Sequence, residues 1–367
     1  FSTLVWEKIS LPFNDQKIIG EYADKKFNPS NDILRYLIFV FLPIIIFFSQ
    51  VFFNKEKLQN LTLNLKKKLE FNVEKNNSIL FFFFLFIILI SLEFLSTDFQ
   101  LHSLDLLHEG QQLSSSYKNN QDGSLWSGSY VTIGIFFETI STKIFWSLFD
   151  KETIGLKRFM DYSLIFLLKF LLIVLSFKIT NFLKIQSFYK NFFFIFICII
   201  FLSLIDYNIA SVDNLSSREL PIIFSLLLLT IFFQNKKYQI IILFIFGFLS
   251  ISTLLWGVDR GLVMNFILLS LLFLFLLRKD FKNISILLIS SLFWIVIFYF
   301  LLGKEFNYFI SNTLSIYKYA SLIHGIVHPT PFSDDPNSYR ATKTLLSIIL
   351  ISIIVIHFFL NKNEKYY

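Results

Sequence analysis

Cysteine is nearly missing from this sequence. Cys198 is the only one among 367 residues, and it sits inside an apolar run. An intrachain disulfide is therefore excluded, as is any zinc or iron–sulfur site built on cysteines. Charge is scarce as well. Only 16% of residues are charged, against about 25% in a soluble domain. Glycine (11) and proline (7) are few. The chain has no GxxxxGK[ST] loop, no GxGxxG fingerprint and no GxSxG elbow, so the usual phosphate cradles and the hydrolase turn are absent. What replaces these is apolar: 55% of residues are hydrophobic, Phe appears 50 times, and mean hydropathy is +0.63. This composition excludes an ordinary cytosolic enzyme, a secreted disulfide module and a disordered chain.

The apolar residues form blocks near the roughly 20 residues that cross a bilayer as a helix. Nine such spans are expected: Tyr36–Phe53, Ser78–Ser96, Asp161–Thr180, Asn191–Ser203, Leu220–Phe233, Tyr238–Trp256, Leu262–Leu277, Ser285–Leu302 and Thr344–Leu360. Ile-rich runs favour strands in water, but membrane strands are nearer 10 residues with polar alternation. A longer continuous run satisfies its own backbone in lipid only as a helix. The predicted fold is an all-α polytopic membrane bundle, a single transmembrane helical domain over residues 1–360 with juxtamembrane helices on one side.

Lysines give an independent check. Lys55, Lys57, Lys66, Lys67, Lys68 and Lys75 fall in one connection, Lys184 and Lys190 in another, and Lys236 and Lys237 in a third. Arg278, Lys279 and Lys282 follow, then Lys362 and Lys365 in the tail. With nine spans all of these lie on one side, which the positive-inside rule makes cytoplasmic. The long loops 97–160 and 303–343 then lie outside. So does Phe1–Arg35, which leads us to expect a further span before it and a chain that begins within a longer protein. The fitting address is a bacterial inner (plasma) membrane. The net charge of +7 is accounted for by anionic lipid at the boundaries. No nucleic-acid partner is expected, because the aromatics are Phe in lipid-length runs rather than stacking platforms in a basic groove.

Polar chemistry concentrates in loop 97–160. Asp98, His102, Asp105, His108 and Glu109 lie within twelve positions. On a helix Asp105 would share a face with His108 and Glu109. Asp105, His108 and Glu109 are candidate ligands for a divalent cation, Mg or Mn, since His and carboxylates both bind metals. Glu109 or Asp105 is equally a candidate general base beside a low-dielectric surface. Gly123, Gly128 and Gly134 point to turns or close backbone approach. Trp126 is either a stacking platform or an interfacial anchor. Val131–Phe149, apolar but holding Glu138 and Lys143, reads as a helix lying on the outer surface or dipping part-way in. Lys151, Lys157 and Arg158 follow on the outside, where lipid or substrate phosphates are their natural partners.

Two other outer segments carry candidates. In Trp256-Gly-Val-Asp-Arg-Gly261, Arg260 suits phosphate through its paired donors and Asp259 orients a group. The last loop offers His324, His328 and Arg340, with Pro329 and Pro331 favouring an ordered loop. Asn307–Ile323 reads as an interfacial helix. The spans hold few ionisable groups, Lys169 and Lys178 being near exceptions, which argues against an ion-coupled transporter.

The many helices, the large outer loop and its Asp105-Leu-Leu-His-Glu109-Gly stretch, with Gly-Ser-Leu-Trp-Ser-Gly downstream, resemble polytopic membrane glycosyltransferases of the GT-C class. The resemblance covers about residues 36 to 360. It implies an inverting transfer of sugar from a polyprenyl-phosphate donor, with Glu109 or Asp105 as the acid at the mouth of the outer cavity. By side alone, Arg260 and Arg340 become donor-phosphate contacts. His108, Trp126, Asp259, His324 and His328 are the further substrate contacts expected. The sequence departs from the class pattern: the acid follows the second recognisable span, and the loop has no Asp-any-Asp pair. The alternative expectation is a noncatalytic subunit with a membrane-protein partner, or a transporter of lipid-linked oligosaccharide.

Overall fold

The computed structural model describes residues 108–129, 131–182, 187–203, 205, 216–277 and 279–324, with separate residues between 8 and 49 and between 331 and 350. The chain divides into two compact units, Phe1–Glu70 with Leu314–Tyr367, and Phe71–Thr313. The first contains a short helix α1 (Glu21–Asp24). Around it Tyr22 stacks on Phe27, and the Asn31 side chain accepts the Leu11 amide at 2.7 Å.

The second unit is built of helices. α2 (His108–Asp122) leads into a polar loop and a π-helical turn, Phe136–Ile140, which continues as α3 (Ser141–Phe149). Then come α4 (Ile154–Phe182), α5 (Ser187–Ser203), a 3-10 turn at Ser217–Glu219 and α6 (Leu220–Gln234). α7 (Gln239–Trp256), α8 (Val258–Leu277), α9 (Phe281–Leu302) and α10 (Glu305–His324) complete the order, α10 belonging to this unit as far as Thr313. Several helix ends have a local cause. Asn235 receives the Lys237 amide on its side chain, and Asp280 caps α9 by accepting the Asn283 amide. Ser216 and Glu219 form a reciprocal capping box ahead of α6, where Pro221 needs no amide partner.

α7 is the centre of the packing, against α6, α8, α9 and the π-turn, while α6 also meets α4 and α4 meets α5. Leu228 and Phe232 of α6 join Leu243 and Phe246 of α7, Met264 and Phe275 of α8 and Leu287 of α9 in one apolar core. Leu168 and Leu172 of α4 meet Ile223 and Leu227 of α6 in a second. Gly247 lets α7 approach α9 until a side chain there would run into Ser290, whose hydroxyl donates to the Phe244 carbonyl at 2.9 Å. Some hydroxyls inside the helices donate back along them, as Ser176 does to the Leu172 carbonyl at 2.7 Å, while those of Thr142, Thr253 and Thr313 are buried with no partner among the described residues.

Four described helical stretches are long and apolar enough to cross a membrane: Ile154–Thr180, Lys236–Trp256, Val258–Leu276 and Phe281–Leu302. The helices predicted around Asn191–Ser203 and Leu220–Phe233 are present as α5 and α6 but are shorter than this. Ser78–Ser96 lies outside the described residues. Of Tyr36–Phe53 and Thr344–Leu360 only separate residues are described, and these are helical.

Two boundaries differ from the sequence reading. α4 starts at Ile154 rather than Asp161, because Lys157 and Asp161 pair at i,i+4 within the helix instead of marking a wet loop. Val131–Phe149 is not one surface helix. Its polar residues Glu138, Thr139, Ser141 and Thr142 are buried, and Ser115 and Ser116 of α2 donate to the Glu138 carbonyl. Thr132, Ile144, Ser147, Leu148 and Phe149 remain exposed.

Because α6, α7, α8 and α9 are joined by short connections, they run up and down. The lysine-bearing turns at Lys236–Tyr238 and Lys279–Asp280 share one end. The Gly257 connection lies at the other, where α6 begins and α9 ends.

Candidate functional site

That second end gathers buried and half-buried charges. The Ser216–Glu219 capping box holds Glu219 with one oxygen accepting the Ser216 amide at 2.7 Å. The other oxygen takes both Nε (2.7 Å) and Nη2 of Arg260. Arg260 turns Nη1 onto its chain neighbour Asp259 at 2.5 Å, and Arg218 Nη2 meets the same Asp259 oxygen at 2.7 Å. Two arginines and two carboxylates thus neutralise one another across the turn between α7 and α8. Burial pushes the Arg218 pKa down, against the opposing pull of Asp259. Its Nε is buried and has no partner among the described residues.

Glu138 stands beside this cluster, close enough to Arg218 for their charges to interact. It is 1% exposed. Its carboxylate accepts from the Thr132 amide (3.1 Å), the Thr132 hydroxyl (2.7 Å), the Ile133 amide (2.8 Å) and the Gln111 side chain (3.2 Å). Burial pushes its pKa up, opposed by these donors and by Arg218. The clamped loop passes its shape on: the Ile133 carbonyl accepts the Val258 amide at 2.6 Å, and Phe136 stacks on Trp256. Gly134 lies so close to the Trp256 carbonyl that no Cβ fits.

A third group joins α2 to α4. Arg158 grips Glu109 side-on, Nε to one oxygen and Nη2 to the other, both at 2.8 Å. One residue earlier, Lys157 Nζ meets Asp161 at 2.6 Å, with side chains 0% and 7% exposed.

Of the residues singled out from the sequence, Asp259 and Arg260 fall in one cluster. Glu109 sits in the first turn of α2 and is ion-paired to Arg158. Trp126 is buried with its ring against Phe309, in an apolar group with Val131, Ile135 and Leu255. Ser127 beside it donates to Glu305 through amide and hydroxyl. His108 opens α2 and His324 closes α10, with their side chains outside the description. Asp105, His328 and Arg340 lie outside the described residues. Among the described residues no three His, Cys, Asp or Glu side chains stand together as a metal-binding group.

Arg218 and Glu219 were not picked as site residues, although Ser216-Ser-Arg-Glu219 carries the capping-box spacing. Lys157 and Asp161 also carry a legible i,i+4 signal. Arg158 was read as an outer charge suited to lipid or substrate phosphates, and its partner Glu109 was not foreseen.

The fold and these clusters define a class: an all-helical protein with several membrane-length apolar helices and a charged, internally paired end. Compared with protein-family models, curated proteins and solved structures, the chain matches none.

Proposed function

We propose that this chain is a membrane glycosyltransferase that moves a sugar from a polyprenyl-phosphate donor at the charged end of the bundle. The observation that carries the reading is the gathering of Arg158, Arg218 and Arg260 with Glu109, Glu138, Glu219 and Asp259 at the end opposite the lysine turns. Arginine forks suit a departing phosphate. Glu109, in the first turn of α2, is the carboxylate proposed to take the proton from an acceptor hydroxyl.

In the step proposed, the acceptor oxygen bonds to the sugar's anomeric carbon and the bond from that carbon to the phosphate oxygen breaks. The proton passes to Glu109, with Asp105 as the other candidate, and polyprenyl phosphate leaves held by an arginine; a divalent cation, Mg or Mn, would supply the same charge if Asp105, His108 and Glu109 held it. The nine-span topology, the cytoplasmic side for the lysine turns and a bacterial inner membrane belong to the same proposal.

A noncatalytic subunit is the second reading. α9 supports it, since only 11% of its most apolar stretch is buried, against 50% for the stretch in α7.

The test reconstitutes the full chain in lipid nanodiscs with a panel of labelled polyprenyl-phosphate sugars. The Asp105→Asn, Glu109→Gln double variant should lose transfer while unfolding like the parent. Undiminished transfer in that variant would sink the assignment of the acids.

A further inference from the structure

Arg218 holds a donor that its surroundings do not use. A guanidinium presents its N–H groups as a planar fork. Arg218 gives Nη2 to Asp259 at 2.7 Å. Its Nε, the neighbouring tine of that fork, is buried without a partner among the described residues. The whole residue is only 9% exposed. A buried donor left bare costs stability, and an acceptor that arrives there recovers it.

Asp259 fills the place beside Arg218 incompletely. Its Oδ2 is the point where two guanidiniums converge, Arg218 Nη2 at 2.7 Å and Arg260 Nη1 at 2.5 Å. Its Oδ1 accepts the Arg260 amide at 2.8 Å. Both carboxylate oxygens are thus used, and Arg218 Nε is still unmet. Asp259 is also the most exposed member of the network, its side chain 44% exposed against 11% for Arg218. It can turn into water while the arginines keep their places. Arg260 is held from its other edge by Glu219, through Nε and Nη2. Arg218 is held by the turn Ser217–Glu219, which the capping box at Ser216 fixes.

The number of acceptors needed selects the ligand. One oxygen at the shared point, a second at Arg218 Nε and a third toward the Arg260 amide are three, which a phosphate monoester supplies and a carboxylate does not. Glu138, whose charge interacts with Arg218, works against an anion there, so the site depends on both arginines.

We infer that Arg218 and Arg260 form a binding site for a phosphate monoester, and that the Asp259 carboxylate occupies it until the ester takes its place. Resting on the transferase reading, the ester is the polyprenyl-phosphate donor. Asp259 then balances the two arginines while no donor is bound.

Binding tests this without requiring turnover. The full chain in nanodiscs is titrated with farnesyl phosphate, with inorganic phosphate and with farnesol. Asp259→Asn keeps the shape and removes the competing charge, and should tighten farnesyl phosphate binding by about tenfold. Arg218→Gln should weaken it by about tenfold, the scale of one charge-assisted contact. Arg218→Lys, which keeps the charge without the fork, should fall between parent and Arg218→Gln. Farnesol binding should not move. Shifts seen with farnesyl phosphate alone support a lipid-linked source, and equal shifts with inorganic phosphate support a soluble one.

If Arg218→Gln fails to fold, Asp259→Asn decides, because its expected change is a gain of binding, which damage to the fold does not produce. The inference is overturned if Asp259→Asn binds both phosphates no more tightly than the parent, or if a folded Arg218→Gln binds them as the parent does. Transfer without these shifts removes the inference and leaves the transferase reading. The shifts without transfer of any donor sugar leave the phosphate site and remove the transferase.

Discussion

At one end of α6 to α9 stand Lys236, Lys237, Lys279 and Lys282, all exposed. At the other, Arg218, Glu219, Asp259 and Arg260 bind one another across the Gly257 turn, with Glu138 buried beside them. The same helices thus carry charge in two ways. At the lysine end, charge faces outward. At the paired end, charge is largely withdrawn from water, Asp259 being its most exposed member, and is balanced inside the protein, which fixes positions of atoms rather than merely a sign of potential. A site able to orient a reacting group needs the second kind.

The largest effect should come from the most deeply buried pair. Lys157→Met leaves Asp161 buried without its partner, and should cost about 3–5 kcal/mol of stability, read by denaturant unfolding of the detergent-solubilised protein. Adding Asp161→Leu should restore most of the loss, because an apolar pair of similar size replaces a buried ion pair at little cost. A double variant no more stable than Lys157→Met would show that the two residues do not act as a pair.

Glu138 should give the next effect, and it depends on pH. Its pKa in the folded protein lies above the ordinary glutamate value. Between those two values the folded state holds more proton than the unfolded state, so stability falls as pH rises through that window. Glu138→Gln should flatten this decline in unfolding curves collected from acid toward neutral pH. An unchanged slope would remove burial as the governing influence on this carboxyl.

The lysine end should respond least. Lys237→Gln and Lys279→Gln should each change stability by less than about 0.5 kcal/mol, as exposed substitutions usually do. A larger loss in the same unfolding assay would mean that this end is built more like the paired one.

Much of the helical scaffold was readable because a run such as Tyr238–Trp256 has one answer in lipid. α7, α8 and α9 follow their apolar runs within a few residues. The start of α4 was not readable by that rule, since Lys157, Arg158 and Asp161 look like loop residues until their partners are known. At the candidate site, Asp259 and Arg260 stood out as charges beside a glycine turn. Their partners did not: Arg218 lies 41 positions from Asp259, and Arg158 lies 49 from Glu109. Periodicity has no access to such distances. Glu138 was visible only as an interruption in an apolar stretch, although its environment makes it the clamp of the 132–133 loop.

The single-residue connection between α7 and α8 has a consequence for biogenesis. With Gly257 alone between them, these two helices have no slack to insert at separate times, so they enter a bilayer as one hairpin. In the topology proposed above, their tip crosses the hydrocarbon carrying Asp259 and Arg260. Because these two are adjacent and paired through Arg260 Nη1, the tip can travel as a neutral unit before Arg218 and Glu219 arrive to complete the network. Separating them by even one inserted residue should therefore be felt first in membrane integration, ahead of any effect on the finished protein.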